Sequence, residues 1–91
     1  MSEIRHLRIT GRVQGVAYRA SMAAAAQDFG ITGWVRNRSD GSVEAMVAGT
    51  ADQVALMINW ARRGPPRAAV DHVAVELGSG EFNHFEKRAS L

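Results

Sequence analysis

Residues 11–19, Gly-Arg-Val-Gln-Gly-Val-Ala-Tyr-Arg, set two glycines and a terminal arginine on the threshold of an alanine-rich run. The apolar–polar pattern before them reads as a strand, and the pattern after them as a helix beginning near Tyr18 and Arg19. A helix N-terminus presents unpaired amide N–H groups and the positive end of the helix dipole. Glycine on the approach lets the backbone curl until successive N–H groups face one oxyanion. Arginine at the helix start adds a charge-assisted contact that can be bidentate. The stretch can therefore hold a phosphate. It matches neither the G-x-x-x-x-G-K-[ST] loop nor the dinucleotide G-x-G-x-x-G, and a plain strand–helix connector satisfies the same residues.

Other chemistry-bearing residues are scattered. His6, His72 and His84 stand apart, and no pair of histidines or carboxylates has metal-ligand spacing, so no metal and no cofactor are expected. Ser21 and Ser39 have no evident base nearby in the sequence. Asp40 reads first as a turn residue and Asn37 as a strand-end asparagine, while Trp34 and Trp60 fit core or rim positions.

The elements that must position these residues can be read from period and punctuation. Leu7 and Ile9 alternate with polar residues in Glu-Ile-Arg-His-Leu-Arg-Ile-Thr, a half-buried strand. Met22, Ala25, Ala26 and Phe29 recur at helical spacing, and Gly30 stands where a helix commonly ends. Residues 31–38 look extended, and Asp40-Gly41 supplies a turn into a strand with Val43, Ala45 and Val47 on one face. Thr50 with Gln53 makes a capping box for a second helix, whose inward face is Val54, Met57, Ile58 and Ala61 with Trp60 at its shoulder. Gly64-Pro65-Pro66 stops that helix. Val73, Val75 and Leu77 alternate in a further strand, and a short last strand around Phe85 completes the series.

This order is β-α-β-β-α-β, with one possible extra edge strand. Two interleaved βαβ halves give the ferredoxin-like α+β sandwich: an antiparallel sheet of four to five strands with both helices on one face. The 91 residues suit one domain spanning 1–91, expected to be free-standing. With 46% hydrophobic residues and no cysteine, the chain reads as globular, without disulfides. It opens with no signal-peptide pattern, and apolar runs such as residues 22–26, none longer, are too short to cross a bilayer. A cytoplasmic monomer without membrane association is expected. The net charge is only +2 and no run of like charge occurs, which argues against a nucleic-acid partner. Lys87 is the single lysine among eleven basic residues. Arginine suits phosphates and carboxylates, but a coding bias would produce the same excess.

The stretch at 11–19 resembles the signature loop of the acylphosphatase family, G-x-V-Q-G-V-x-[F/Y]-R. Residues 33–49, Gly-Trp-Val-Arg-Asn-Arg-Ser-Asp-Gly-Ser-Val-Glu-Ala-Met-Val-Ala-Gly, resemble its second signature, and Gly-Pro-Pro-Arg-Ala-Ala-Val at 64–70 a third. The three occur in family order and span nearly the whole chain. The resemblance implies hydrolysis of acyl phosphates to a carboxylate and inorganic phosphate, with a small-molecule substrate. Its catalytic positions carry over to Arg19 and Asn37, and its phosphate cradle to the backbone of Gln14, Gly15, Val16, Ala17, Tyr18 and Arg19. Tyr18 departs mildly from the commoner phenylalanine, and its hydroxyl can alter local packing or hydrogen bonding.

Elementary chemistry is consistent with that resemblance. An acyl phosphate leaves as a stable carboxylate, so positioning and charge stabilisation matter more than acid catalysis. Asn37 can orient a water, but a neutral amide cannot act as a general base. Two other classes compete. An RNA-binding module of the same fold needs exposed aromatics on its third strand, and Ser-Val-Glu-Ala-Met-Val-Ala-Gly has none. A phosphate-handling domain of a larger maturation enzyme would share the loop, but the chain is expected to stand alone with both Arg19 and Asn37 retained.

Overall fold

Alternation at the start of the chain becomes one long strand, β1, at Ser2–Arg12. The computed structural model describes residues 2–91; Met1, the first residue of the expected 1–91 domain, lies outside them. After β1 come α1 (Tyr18–Phe29), β2 (Thr32–Asn37), β3 (Val43–Thr50), α2 (Ala51–Arg63), β4 (Ala69–Leu77) and β5 (Phe85–Lys87). The sheet order is β4-β1-β3-β2-β5. Both helices pack on one face, α2 against β1, β3 and β4, and α1 against β2 and β5. The ferredoxin-like α+β sandwich is therefore the fold, with one refinement. The four strands β4, β1, β3 and β2 are antiparallel, but β5 joins β2 in parallel, with Val35 opposite Lys87. Residues 78–84 carry the chain from one edge of the sheet to the other, so β5 arrives in the same direction as β2.

Local signals explain the ends of the elements. Thr50 Oγ1 accepts the Gln53 N–H at 3.2 Å while Gln53 Oε1 accepts the Thr50 N–H at 2.8 Å, the reciprocal capping box that starts α2. Helix α1 ends at Gly30, with φ 73°, where the Ile31 N–H reaches back to the Ala26 carbonyl at 2.8 Å.

The core lies between sheet and helices. Leu7, Ile9, Val35, Val43, Ala45 and Val47 meet Met22, Ala26, Val54, Met57 and Ala61, all fully or nearly fully buried. Alternation in β4 predicts three inward residues, yet Val73 is 7% exposed, Val75 38% and Leu77 82%. Alternation sets the face on which a strand's side chains stand, but burial also needs a layer above them. On this edge strand that layer covers only Val73.

The first strand also runs further than its alternation suggests. Gly11 and Arg12, read above as the start of the loop, pair with β4 beyond an irregularity at Thr10 and Gly11. A Cβ on Gly11 would lie 2.3 Å from the Ala69 carbonyl oxygen. That glycine serves the close approach of two strands.

Candidate active site

The connection that remains between β1 and α1 is short, and its two valines fix how it hangs. Val13 and Val16 are buried at 1% and 6% exposure, so the loop is pinned to the core at both points. Between and after them the backbone turns left-handed, at Gly15 (φ 74°) and at Ala17 (φ 62°). Nothing lies within 4 Å of a Cβ built on Gly15, so its backbone angle and not crowding favours glycine there. Ala17 is the one non-glycine residue with positive φ among the described residues. That conformation costs about 1 kcal/mol for an L-residue, a strain typical of functional loops.

This path leaves donors free. Among the described residues, the N–H groups of Gln14, Gly15, Val16 and Ala17 reach no protein acceptor. The first hydrogen bond of α1 is Ser21 N–H to the Ala17 carbonyl at 3.0 Å, so the N–H groups of Tyr18, Arg19 and Ala20 lie ahead of it. A cavity of about 160 Å³ opens here, lined by Gln14, Gly15, Ala17, Tyr18, Arg19 and Ala20 of this segment. It is smaller than the usual 300–1,000 Å³ of a drug-sized ligand site and suits a compact group.

The cradle residues are expected to act through their backbone, and several of their side chains have other duties. The Gln14 amide nitrogen donates to the Arg38 and Ser42 carbonyls, each at 2.8 Å, and so ties the loop to the β2–β3 turn. Val16 does not line the cavity; its side chain is in the core. Tyr18 is 2% exposed, and its hydroxyl donates to the Ala61 carbonyl at 2.6 Å. Burial pushes its phenol well above the ordinary range. The hydroxyl thus joins the start of α1 to the last turn of α2, and only the backbone of Tyr18 is available to a ligand.

Arg19 and Asn37 do come together, as lining residues of the one cavity. Arg19 is half-buried in the first turn of α1 and makes no ion pair among the described residues. Asn37 ends β2, where its carbonyl accepts the Leu91 N–H at 2.9 Å, so the C-terminal segment fixes the strand end. A further polar residue, missed in the sequence, joins the lining: Lys87 of β5. The signal was present, since alternation from the anchoring Phe85 puts residue 87 on the helix-side face. Two cations and no carboxylate line this cavity, so it favours an anion.

Comparison with known proteins decides the family. The acylphosphatase family model matches residues 5–87. The chain belongs to the acylphosphatase family. It is 54% identical over 84 residues to an acylphosphatase of Thiobacillus denitrificans, covering 92% of this chain and 94% of that one. It is 51% identical to an acylphosphatase of Cupriavidus pinatubonensis, over 98% of this chain and 99% of the relative. The solved structure of an acylphosphatase from Coxiella burnetii superposes with a TM-score of 0.91 at 35% identity, over 96% of this chain and 93% of that one.

Within this acylphosphatase-family fold, Arg36 of β2 and Arg38 just beyond it are occupied on the opposite face of the sheet. Glu44 of β3, 8% exposed, accepts hydrogen bonds from Arg36 at 2.7 Å and Arg38 at 3.1 Å and pairs with His6 at 2.6 Å. Desolvation pushes the Glu44 carboxyl up, but the bonds from His6, Arg36 and Arg38 outweigh it and bring it down to about 2. Asp40 is the turn residue expected: its carboxylate accepts from the Ser42 hydroxyl and N–H, and then from Arg8. Those contacts hold it at about 2. Among the described residues, no helix is long and apolar enough to cross a membrane.

Proposed function

We propose that the chain hydrolyses the carboxyl–phosphate bond of small acyl phosphates, releasing a carboxylate and inorganic phosphate. The observation that carries this reading is the convergence of Arg19, Asn37 and a run of unpaired loop amides on one cavity without a carboxylate. The family membership supports it independently.

In this mechanism the N–H groups from Gln14 to Arg19 and the Arg19 guanidinium hold the phosphoryl oxygens and stabilise their charge in the transition state. Asn37 holds a water in line with the bridging oxygen. The water oxygen bonds to phosphorus as the bridging P–O bond breaks, and the electron pair leaves with the carboxylate. One water proton stays on the new P–OH and the other passes to a phosphoryl oxygen, giving dihydrogen phosphate. Asn37 orients without accepting that proton, because an amide is too weak a base. The reading takes residues 1–91 as one domain, a cytoplasmic monomer acting without metal or cofactor and without a nucleic-acid partner.

Benzoyl phosphate loss, followed by absorbance with and without protein, tests the reading. Protein-dependent loss that is insensitive to EDTA is expected. Decay at the spontaneous rate with retained phosphate binding would make the chain a binding module instead.

A further inference from the structure

Lys87 is the cavity-lining cation that the mechanism leaves unused, and its surroundings give it a direction. It stands on β5, the edge strand, whereas Asn37 ends the neighbouring strand β2, two residues past Val35, the partner of Lys87. The two are offset by one strand spacing, about 4.8 Å, and by about 6.6 Å along the strand. They can therefore address different sides of a phosphoryl group. Among the described residues Lys87 makes no ion pair, although Glu86 beside it has two partners, His84 and Arg88, on the outer side.

A second cavity, of about 610 Å³, lies further along the same two elements. Both are walled by α1 and β5. Ala20 lines the first, and Ala23 and Ala24, about one helical turn on, line the second. Lys87 lines the first, and Phe85, two residues back on the same face of β5, lines the second. The groove along β5 and α1 is thus apolar near Lys87, with polar residues such as Gln27 and Asn83 further along.

We propose that Lys87 receives the departing carboxylate of the substrate, and that the acyl substituent lies along β5 in the groove against α1. This rests on the acyl phosphate reading above and assigns the half of the substrate that the cradle leaves free. Phosphoryl transfer of this type breaks the bond to the leaving group early, so negative charge grows on the bridging oxygen in the transition state. The ammonium of Lys87 meets that charge. The groove takes an extended apolar acyl group, aryl above all, in preference to a small or a charged one.

The test is a leaving-group series: acetyl phosphate, benzoyl phosphate and ring-substituted benzoyl phosphates, with inorganic phosphate as competitive inhibitor. The proteins are wild type, Lys87→Met, Lys87→Arg and Arg88→Gln. Arg88 is the control, because it adjoins Lys87 but stacks on Trp34 at 4.8 Å on the outer face. Lys87→Met is expected to lower kcat/KM about tenfold on benzoyl phosphate. That is less than the ~10²–10³-fold of a fully buried oxyanion donor, because Lys87 is exposed. The deficit should grow as the leaving benzoate becomes more basic, phosphate inhibition should stay within about twofold, and Lys87→Arg should recover part of the loss. Arg88→Gln should match wild type. A deficit independent of leaving-group basicity and accompanied by weakened phosphate inhibition would make Lys87 a phosphoryl contact and overturn the proposal. An unaltered Lys87→Met series would overturn it too, as would a wild type that prefers acetyl phosphate to every aryl substrate. A wild type that hydrolyses none of the series defeats the acyl phosphate reading itself, a result distinct from these.

Discussion

On the outer face of the sheet Arg36 and Arg38 close on Glu44 and Arg8 closes on Asp40, while across the sheet Arg19 faces a cavity with no carboxylate in its lining. The residue type is the same and the chemistry is opposite. A guanidinium already committed to a carboxylate has spent its fork geometry on the fold. One held half-buried at a helix start without an acidic partner keeps that geometry for an incoming anion. Glu44 depends on its cations in turn, since a carboxylate at 8% exposure with no partners would be protonated or would unfold the region. The contrast separates groups that hold this protein together from groups that act on a ligand.

Substitutions can break that contrast, and the largest effect should come from Arg19. Arg19→Ala is expected to lower kcat/KM about 10³-fold and to abolish phosphate inhibition. Its melting temperature should stay near wild type, because no partner is orphaned. Unchanged catalysis would remove Arg19 from the site. The mirror case is Glu44→Ala, which leaves Arg36 without its carboxylate and Arg38 with only Asp40 at 4.0 Å, and should cost about 3 kcal/mol in urea unfolding, with phosphate inhibition retained in the folded protein.

The same carboxylate sets an acid limit. Its native value of about 2 lies below the ordinary 4.5, so its contribution is complete above about 4.5 and is lost as pH falls toward about 2. Unfolding midpoints measured across that window should fall in the wild type and flatten in Glu44→Gln.

Next in size is Asn37→Ala, expected to depress kcat about 10²-fold while sparing KM and phosphate affinity, the pattern of an interaction made mainly in the transition state. A matching rise in KM would assign Asn37 to ground-state binding. The smallest effect belongs to Tyr18→Phe. Losing the hydroxyl bond to the Ala61 carbonyl should cost about 1 kcal/mol in stability and leave kcat close to wild type. A large loss of kcat would mean that the tie between α1 and α2 also tunes the loop.

Much of the site was legible because its signals are local. A strand running into a helix through Gln14-Gly15-Val16-Ala17 announces free amides, and Arg19 sits within one turn of them. The capping box at Thr50 and Gln53 and the Gly64-Pro65-Pro66 stop were equally plain, since each acts over a few residues. Other features were not local. The two glycines of 11–19 look alike in sequence, yet Gly11 is needed for strand approach to Ala69 and Gly15 for its left-handed turn. Only the partner strand tells them apart. The acceptor of the Tyr18 hydroxyl lies on the other helix, at Ala61. The exposure of Val75 and Leu77 follows from what lies over β4, which alternation does not encode.

Taken alone, the sequence determined the order of elements, since period, caps and turns are short-range physics; the pair Arg19 and Asn37 came from its resemblance to the family signatures, because Asn37 by itself reads only as a strand-end asparagine. The tertiary structure decided which side chains share one cavity. It sent Val16 into the core, turned Gln14 to the β2–β3 turn and laid β5 parallel to β2, so that Lys87 entered the lining. Those outcomes depend on packing between segments far apart in the chain, where burial and partner availability override what any local pattern can specify.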